Sequence, residues 1–367
     1  MSRRPRERRS RGRSHVGERL EVEVGPVAHG GHCVARHDDR VVFVRHALPG
    51  ERVVVTVTEG TEGDRFWRGD AVRVLAPSPD RVDAPCPYAG PGLCGGCDFQ
   101  HVAPAAQRAL KASVVHEQLS RLAGLDLDVE VEEVPPLLRW RGRMRYVGLP
   151  GGARGLHVHR SDEVVEIDDC LIDAGREPSP IETVATAYGT HEFRVDPDGF
   201  WQSHVEAPRV LVETVLSLLR PKAGERVLDL YAGVGLFTAF LADVVGPEGR
   251  VVAVEGSRVA CRDARANLPS PVRVVHGPVD RVLASAYDEP FDLVVLDPPR
   301  EGARHKVVAQ IVDRAPRAVA YVACDPAALA RDLATFVELG YSPTTVRAFD
   351  LFPMTHHVEC VAHLVKR

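Results

Sequence analysis

This 367-residue chain has four lysines, no apolar run approaching the roughly 20 residues that cross a bilayer, and no internal repeat. The first lack excludes nothing by itself. Lys111, Lys222, Lys306 and Lys366 stand beside abundant arginine, alanine and valine, a compositional bias from which no function is read. The second lack argues against a membrane-spanning helix. The N-terminus is arginine-rich with no apolar core behind it, which is not how a secretory leader is built. The expectation is a cytoplasmic, monomeric chain with no membrane partner. In such a setting eight cysteines are expected as reduced thiols, metal ligands or catalytic groups rather than as a disulfide framework.

What is present suffices for several hydrophobic cores: 44% of residues are hydrophobic and 26% charged. Charge is unevenly spread. Residues 1–13 carry seven arginines against one glutamate, a net of +6, so a chain of net −5 has a body of −11. An acidic body with a basic arm suits phosphate contacts, although a solvated tail has the same composition.

Period-two alternation marks short strands at Glu18–Val24, Arg40–Arg45, Gly50–Thr58 and Phe66–Leu75. A small all-β barrel or sandwich is therefore expected over residues 14–75, either nucleic-acid-binding in the manner of an OB-fold or purely structural. Ala76–Pro85 reads as a linker, and a helix is expected from Pro104 to Leu122. Mixed strands follow to about residue 195. From about Pro208 nearly continuous apolar strands (Val227–Tyr231, Val251–Glu255, Val272–His276, Leu293–Asp297, Ala318–Ala323) alternate with amphipathic helices, the pattern of a doubly wound α/β sheet. Four segments result: a disordered basic tail over 1–13, the barrel over 14–75, a central α+β region over 76–195, and an α/β Rossmann-like domain over 196–367.

The last segment opens with Asp229-Leu-Tyr231-Ala-Gly233-Val-Gly235, an apolar strand entering a glycine turn and then a helix. Such a turn lets the backbone approach a ligand, although a tight turn or another nucleotide site reads the same. The next strand ends in Glu255, a carboxylate placed to accept both ribose hydroxyls of an adenosyl group. A dinucleotide fits less well, because Thr238 stands where the third glycine belongs. S-adenosylmethionine is the expected cofactor. Asp297-Pro-Pro-Arg300 closes the fourth strand with a rigid polar turn. Amino-group methyltransferases use a similar turn followed by an aromatic, and Arg300 argues against that chemistry.

Cys324 sits at the end of an apolar strand, ahead of Asp325-Pro326 and a helix expected over Ala327–Leu339. A helix N-terminus favours thiolate; a buried apolar cysteine is the alternative. A thiolate has a use in pyrimidine chemistry: added at C6 it turns C5 into a nucleophile for a methyl sulfonium, after which a base must remove the C5 proton. Phe352-Pro-Met-Thr-His356-His357-Val-Glu359 offers Glu359, with the two histidines as alternatives. Cys86, Cys94, Cys97 and Cys170 form C-x7-C-x2-C plus one distant thiol, a donor set sufficient for zinc or for a [4Fe–4S] cluster. Cys33, Cys261 and Cys360 show no partner pattern.

Cys94-Gly-Gly-Cys97-Asp-Phe-Gln100-His101, Phe200-Trp-Gln202, the Asp229–Gly235 turn, Asp297-Pro-Pro-Arg300, Cys324-Asp325-Pro326 and His357-Val-Glu359 together resemble the RNA uracil-C5 methyltransferase family, in its iron–sulfur branch with an N-terminal TRAM domain. The resemblance spans residues 14–367. It implies Cys324 as nucleophile and Glu359 as proton acceptor, Gln202, Tyr231, Glu255 and Asp297 as S-adenosylmethionine contacts, and an iron–sulfur cluster on Cys86, Cys94, Cys97 and Cys170. It also implies RNA as partner, 23S ribosomal RNA ahead of transfer RNA. Leu236 and His276-Gly-Pro278 depart from the family pattern, so no cofactor contact is carried over to them. An amino-group or DNA cytosine methyltransferase fits Arg300 and the barrel less well. A non-enzymatic iron–sulfur RNA-binding protein is the remaining alternative.

Overall fold

The computed structural model describes residues 12–177 and 179–367, so most of the expected basic tail lies outside the described residues. The chain divides into two compact units. One gathers residues up to Leu110 with Tyr146–Cys170 and Met354–His356; the other holds Lys111–Arg145, Leu171–Pro353 and His357–Arg367. Residues 76–195 are thus shared between the units.

The first unit is built on β1 (Arg19–Val27), β2 (Cys33–His37), β3 (Arg40–Arg45), β4 (Arg52–Glu59) and β5 (Phe66–Ala76). They close as a barrel in the order β1-β2-β3-β5-β4, with β3 and β5 parallel. The alternation read from the sequence is a division between inside and outside. Leu20, Val22 and Val24 of β1 and Val53, Val55 and Val57 of β4 are buried, while the residues between them turn outward. Gly69 is required by closure, since a Cβ there would lie 2.4 Å from Val55 and 2.7 Å from the Thr56 carbonyl. Strand β2 was not expected. It buries only Cys33 and Ala35 and carries too short an alternation to announce itself.

In the second unit, α1 (Pro104–Ala123, from Lys111 onward) precedes β6 (Val131–Glu133). A small three-stranded sheet of β7 (Val147–Gly148), β8 (Arg154–His157) and β9 (Val164–Glu166) belongs to the first unit. The second unit resumes with the hairpin β10 (Ile181–Thr186) and β11 (Gly189–Arg194), followed by α2 (Ala207–Leu219). The expected alternation then appears: β12 (Arg226–Leu230), α3 (Leu236–Val245), β13 (Arg250–Glu255), α4 (Arg258–Asn267), β14 (Arg273–His276), α5 (Val279–Ser285), β15 (Leu293–Leu296), α6 (Arg304–Asp313), β16 (Ala318–Ala323) and α7 (Pro326–Glu338). Two further strands, β17 (Tyr341–Asp350) and β18 (Glu359–Lys366), were not anticipated.

These strands form one sheet in the order β14-β13-β12-β15-β16-β18-β17-β6. The strands β12–β16 are mutually parallel, and β18 enters antiparallel between β16 and β17. Alternate residues feed two cores. Leu228, Leu230, Val252, Val294, Val319 and Tyr321 pack with α5, α6 and α7 and with Val115 and Leu119 of α1. Val227, Val251, Leu293, Val295, Ala320 and Val322 pack with α2 and α3. Helices on both faces explain the unbroken apolar strands, and fix the loops at the strands' carboxyl ends as the place for a ligand. No helix among the described residues is long and apolar enough to cross a membrane.

Candidate active site

Sheet order decides what meets at that edge. The neighbouring strands β13, β12, β15 and β16 run parallel, so their carboxyl ends lie side by side. They deliver Glu255, Tyr231, Asp297 and Cys324. Because β18 is antiparallel, its first residue, Glu359, arrives at the same edge, and the pairing of Ala323 with Cys360 sets it across from Cys324. Five adjacent strands therefore supply five candidate side chains from segments up to 128 residues apart in sequence. Gln202 joins them through a hydrogen bond from its Nε2 to Asp297 Oδ2 at 3.2 Å.

All six residues line one cavity of about 640 Å³, together with Trp201, Leu236, Pro278, Arg300, Phe352 and His357. The two departures from the family pattern, Leu236 and Pro278, form apolar parts of its wall. Tyr231 and Gly235 adopt left-handed backbone conformations at φ +62° and +94°. A Cβ at Gly235 would lie 2.9 Å from Leu268, so the turn needs glycine there for space as well as for conformation. Glu255 braces the turn, accepting from the Gly233 N–H at 2.9 Å and the Ser257 N–H at 2.6 Å. Thr238, where a dinucleotide site has its third glycine, donates its hydroxyl to buried Asp229.

The electrostatics are those of carboxylates out of water. Burial pushes Asp229 and Asp297 up to about 7, the Gln202 hydrogen bond opposing the shift at Asp297. Glu359, 3% exposed, is raised well above the usual carboxylate range by burial and then by Asp297. Cys324 is pushed up to about 12, first by burial and then by Glu359 and Asp297, with Arg300 acting against them. This corrects one expectation. The helix N-terminus does not leave a ready thiolate, because Asp325 takes the Ala328 N–H at 2.8 Å while burial, then Glu359 and Asp297, hold the thiol up. The thiol is protonated in the free site.

Sequence reasoning passed over Arg300 as a site residue, using it only to exclude amino-group chemistry, and it gave Phe200 no role. Phe200 lines the cavity and is 71% exposed. Its signal was the Phe-Trp-Gln motif itself: an aromatic two residues before a site glutamine.

The four motif cysteines lie in the first unit. Cys97 is pushed up to about 12 by burial, opposed by a hydrogen bond from Gln100, with Cys170, Cys94 and Cys86 adding to the rise. Burial likewise raises Cys86 and Cys94, and Cys170 raises both further. The four thiols are thus within electrostatic reach of one another. Among the described residues, however, no group of three or more His, Cys, Asp or Glu side chains is arranged to hold a metal ion. Cys33 and Cys261 donate to the Ala47 and Glu255 carbonyls, and with Cys360 they are buried as small apolar residues.

Residues 13–72 match the TRAM domain family, 182–283 the protein-L-isoaspartate(D-aspartate) O-methyltransferase family, and 282–367 the tRNA (uracil-5-)-methyltransferase family. An uncharacterized RNA methyltransferase of Streptomyces avermitilis is 45% identical over 95% of this chain and 98% of its own length. The 23S rRNA (uracil(1939)-C(5))-methyltransferase RlmD of Alkalilimnicola ehrlichii is 31% identical over 94% of this chain and 96% of its own. The chain belongs to the RNA uracil-C5 methyltransferase family. As an RNA uracil-C5 methyltransferase it shares its fold with the tRNA (uracil-54, C5)-methyltransferase of Pyrococcus abyssi, solved with S-adenosyl-L-homocysteine. That match has a TM-score of 0.69 at 20% identity, over 94% of this chain and all of the other.

Proposed function

We propose that this RNA methyltransferase modifies C5 of a uridine in 23S ribosomal RNA, with Cys324 as nucleophile and Glu359 as base. The observation that carries the reading is the meeting of Cys324, Asp297 and Glu359 in one cavity, set side by side by β15, β16 and β18. S-adenosylmethionine supplies an electrophilic methyl when bound. Glu255, at the end of β13, suits its ribose hydroxyls, while Gln202, Tyr231 and Asp297, which line the same cavity, would contact other parts of the cofactor. Exposed Phe200 offers a face on which a base can stack.

Cys324 gives its proton to solvent as its sulfur adds to C6 and the C5–C6 π electrons move onto the conjugated carbonyl as an enolate, so a thiol held protonated is spared side reactions until the ring arrives. The addition makes C5 nucleophilic toward the methyl. A base must then take the C5 proton so that the C6–sulfur bond can break. Glu359 across the sheet from Cys324 is the placed carboxylate, and once ionised its burial makes it a strong acceptor. Preference for ribosomal over transfer RNA rests on similarity along nearly the whole chain to the 23S rRNA enzyme.

Cys86, Cys94, Cys97 and Cys170 are the residues that would hold a [4Fe–4S] cluster, with zinc as the alternative. The electrostatic influence of Cys170 on Cys86, Cys94 and Cys97 supports this, since it relates the distant thiol to the other three. The cluster has no step in the reaction.

Covalent capture tests the proposal. RNA bearing 5-fluorouridine lacks the C5 proton, so the enzyme should stall as an RNA–protein adduct in the presence of S-adenosylmethionine. Wild-type protein is expected to form it on 23S rRNA fragments, and Cys324→Ala to form none. Absence of an adduct on any cellular RNA sinks the reading; an adduct on transfer RNA alone moves the substrate.

A further inference from the structure

Among the described residues Arg300 is the one arginine or lysine lining the cavity, and its turn is anchored from behind. Asp332 of α7, 4% exposed, accepts from the Ala303 N–H at 2.7 Å, the Arg304 N–H at 3.1 Å and the Tyr321 hydroxyl at 2.7 Å. Gly302, at φ +80°, presses on that carboxylate: a Cβ there would lie 2.6 Å from Asp332 Oδ2. The segment just after Asp297-Pro-Pro-Arg300 is therefore anchored, and the Gly302 N–H donates back to the Pro299 carbonyl at 2.8 Å. The exposed Arg300 side chain is not anchored by this, and a free arginine would spread over many rotamers.

One contact restricts it. Arg300 Nη2 lies 3.3 Å from His357 Nε2. A guanidinium only donates, so Nε2 must be the acceptor and the imidazole must be neutral, with its proton on Nδ1. The ring is itself placed. It meets Phe352 edge-on at 5.7 Å, and Phe352 meets Trp140 at 6.1 Å. Buried Lys111 donates to the Phe352 carbonyl at 3.0 Å while paired with Asp350 at 2.6 Å. A buried ion pair thus fixes the loop from which His357 reaches the arginine.

We propose that His357 is a positioning residue, a neutral hydrogen-bond acceptor that holds the Arg300 guanidinium toward the Cys324–Glu359 end of the cavity. Arg300 supplies the charge that opposes Glu359 and Asp297 around the thiol, and His357 keeps it there. The inference rests on the reading of Cys324 as nucleophile. It assigns a task to the second histidine of the His-His-Val-Glu segment that leaves proton removal to Glu359.

The test compares His357→Leu with His357→Gln in the full chain, since glutamine retains an acceptor. Alkylation of Cys324 by iodoacetamide, followed by peptide mass spectrometry in the absence of RNA, reports the thiol directly. The rate of 5-fluorouridine adduct formation reports it at work. The leucine variant should slow both about tenfold, as expected if the thiol pKa rises by about one unit, and glutamine should recover to within about threefold. In an Arg300→Gln background, His357→Leu should add nothing, a result that a merely structural histidine would not produce. Wild-type rates in the leucine variant, a glutamine variant as slow as leucine, or additive losses with Arg300→Gln would each overturn the proposal. Failure of wild-type protein to form any adduct instead counts against the methylation reading, and the alkylation rates still decide the role of His357.

Discussion

Cys324 and Cys97 are both half-buried thiols pushed up to about 12, yet their surroundings differ in kind. Around Cys324 the raising charges are carboxylates, Glu359 and Asp297, with Arg300 against them. Around Cys97 they are other thiols, Cys170, Cys94 and Cys86, with a hydrogen bond from Gln100 against them. The first setting permits a transient thiolate that a nearby carboxylate can later release. The second permits thiolates only together, and only if a cation neutralises them. A high thiol pKa thus marks neither site as inert; the neighbours say what can relieve it.

The largest expected effect comes from breaking the first setting at its base. Glu359→Gln should lower turnover by about a hundredfold or more, since a positioned base contributes about that much, while adduct formation survives. With natural RNA and S-adenosylmethionine a methylated RNA–protein adduct should accumulate on denaturing gels. Near-normal turnover would remove Glu359 from the mechanism.

An intermediate effect is expected in the second setting. Cys97→Ser should abolish bound iron and the broad visible absorbance of an iron–sulfur protein, and lower the melting temperature by several degrees. Methylation of a short RNA fragment should change less than with Glu359→Gln. Colourless wild-type protein containing zinc would reassign the metal, and metal-free wild-type protein of equal stability would discard it.

The smallest effect sharpens the electrostatics. Asp297 has its pKa raised to about 7 by burial, so folding favours its protonated form. Its contribution is fully present below its ordinary range near pH 4 and is lost as pH rises through about 7. Asp297→Asn removes this dependence. Melting curves should show the variant gaining on wild type by a few degrees between pH 4 and 7; parallel curves would refute the raised carboxyl.

Legibility followed the range of the interaction. The barrel alternation, the α1 helix and the strands β12–β16 were readable because period and burial are local properties. Strand β2 was missed because five residues with two buried positions give no period. The pair β17 and β18 was missed for another reason: what makes them strands is their pairing with β16 and with each other. That omission mattered most, because antiparallel insertion of β18 is what carries Glu359 to Cys324. The candidate site residues that line one cavity were legible as motifs, while the state of Cys324 was not. A helix N-terminus is visible in sequence, whereas the burial that raises Cys324 and the two carboxylates that add to it depend on other strands.

By itself the sequence determined most of the segments that fold as strand or helix, which family the motifs resemble, and which side chains have suitable chemistry. These depend on residue type and spacing, which the chain carries in one dimension. Only the tertiary structure decided that β13, β12, β15, β16 and β18 stand in that order, so that Glu255, Tyr231, Asp297, Cys324 and Glu359 share one edge. Only it decided that the thiol is protonated, and that the Arg300 guanidinium has a histidine to hold it. Charge and proton position depend on what lies within a few ångströms in space, and strand order brings those groups together.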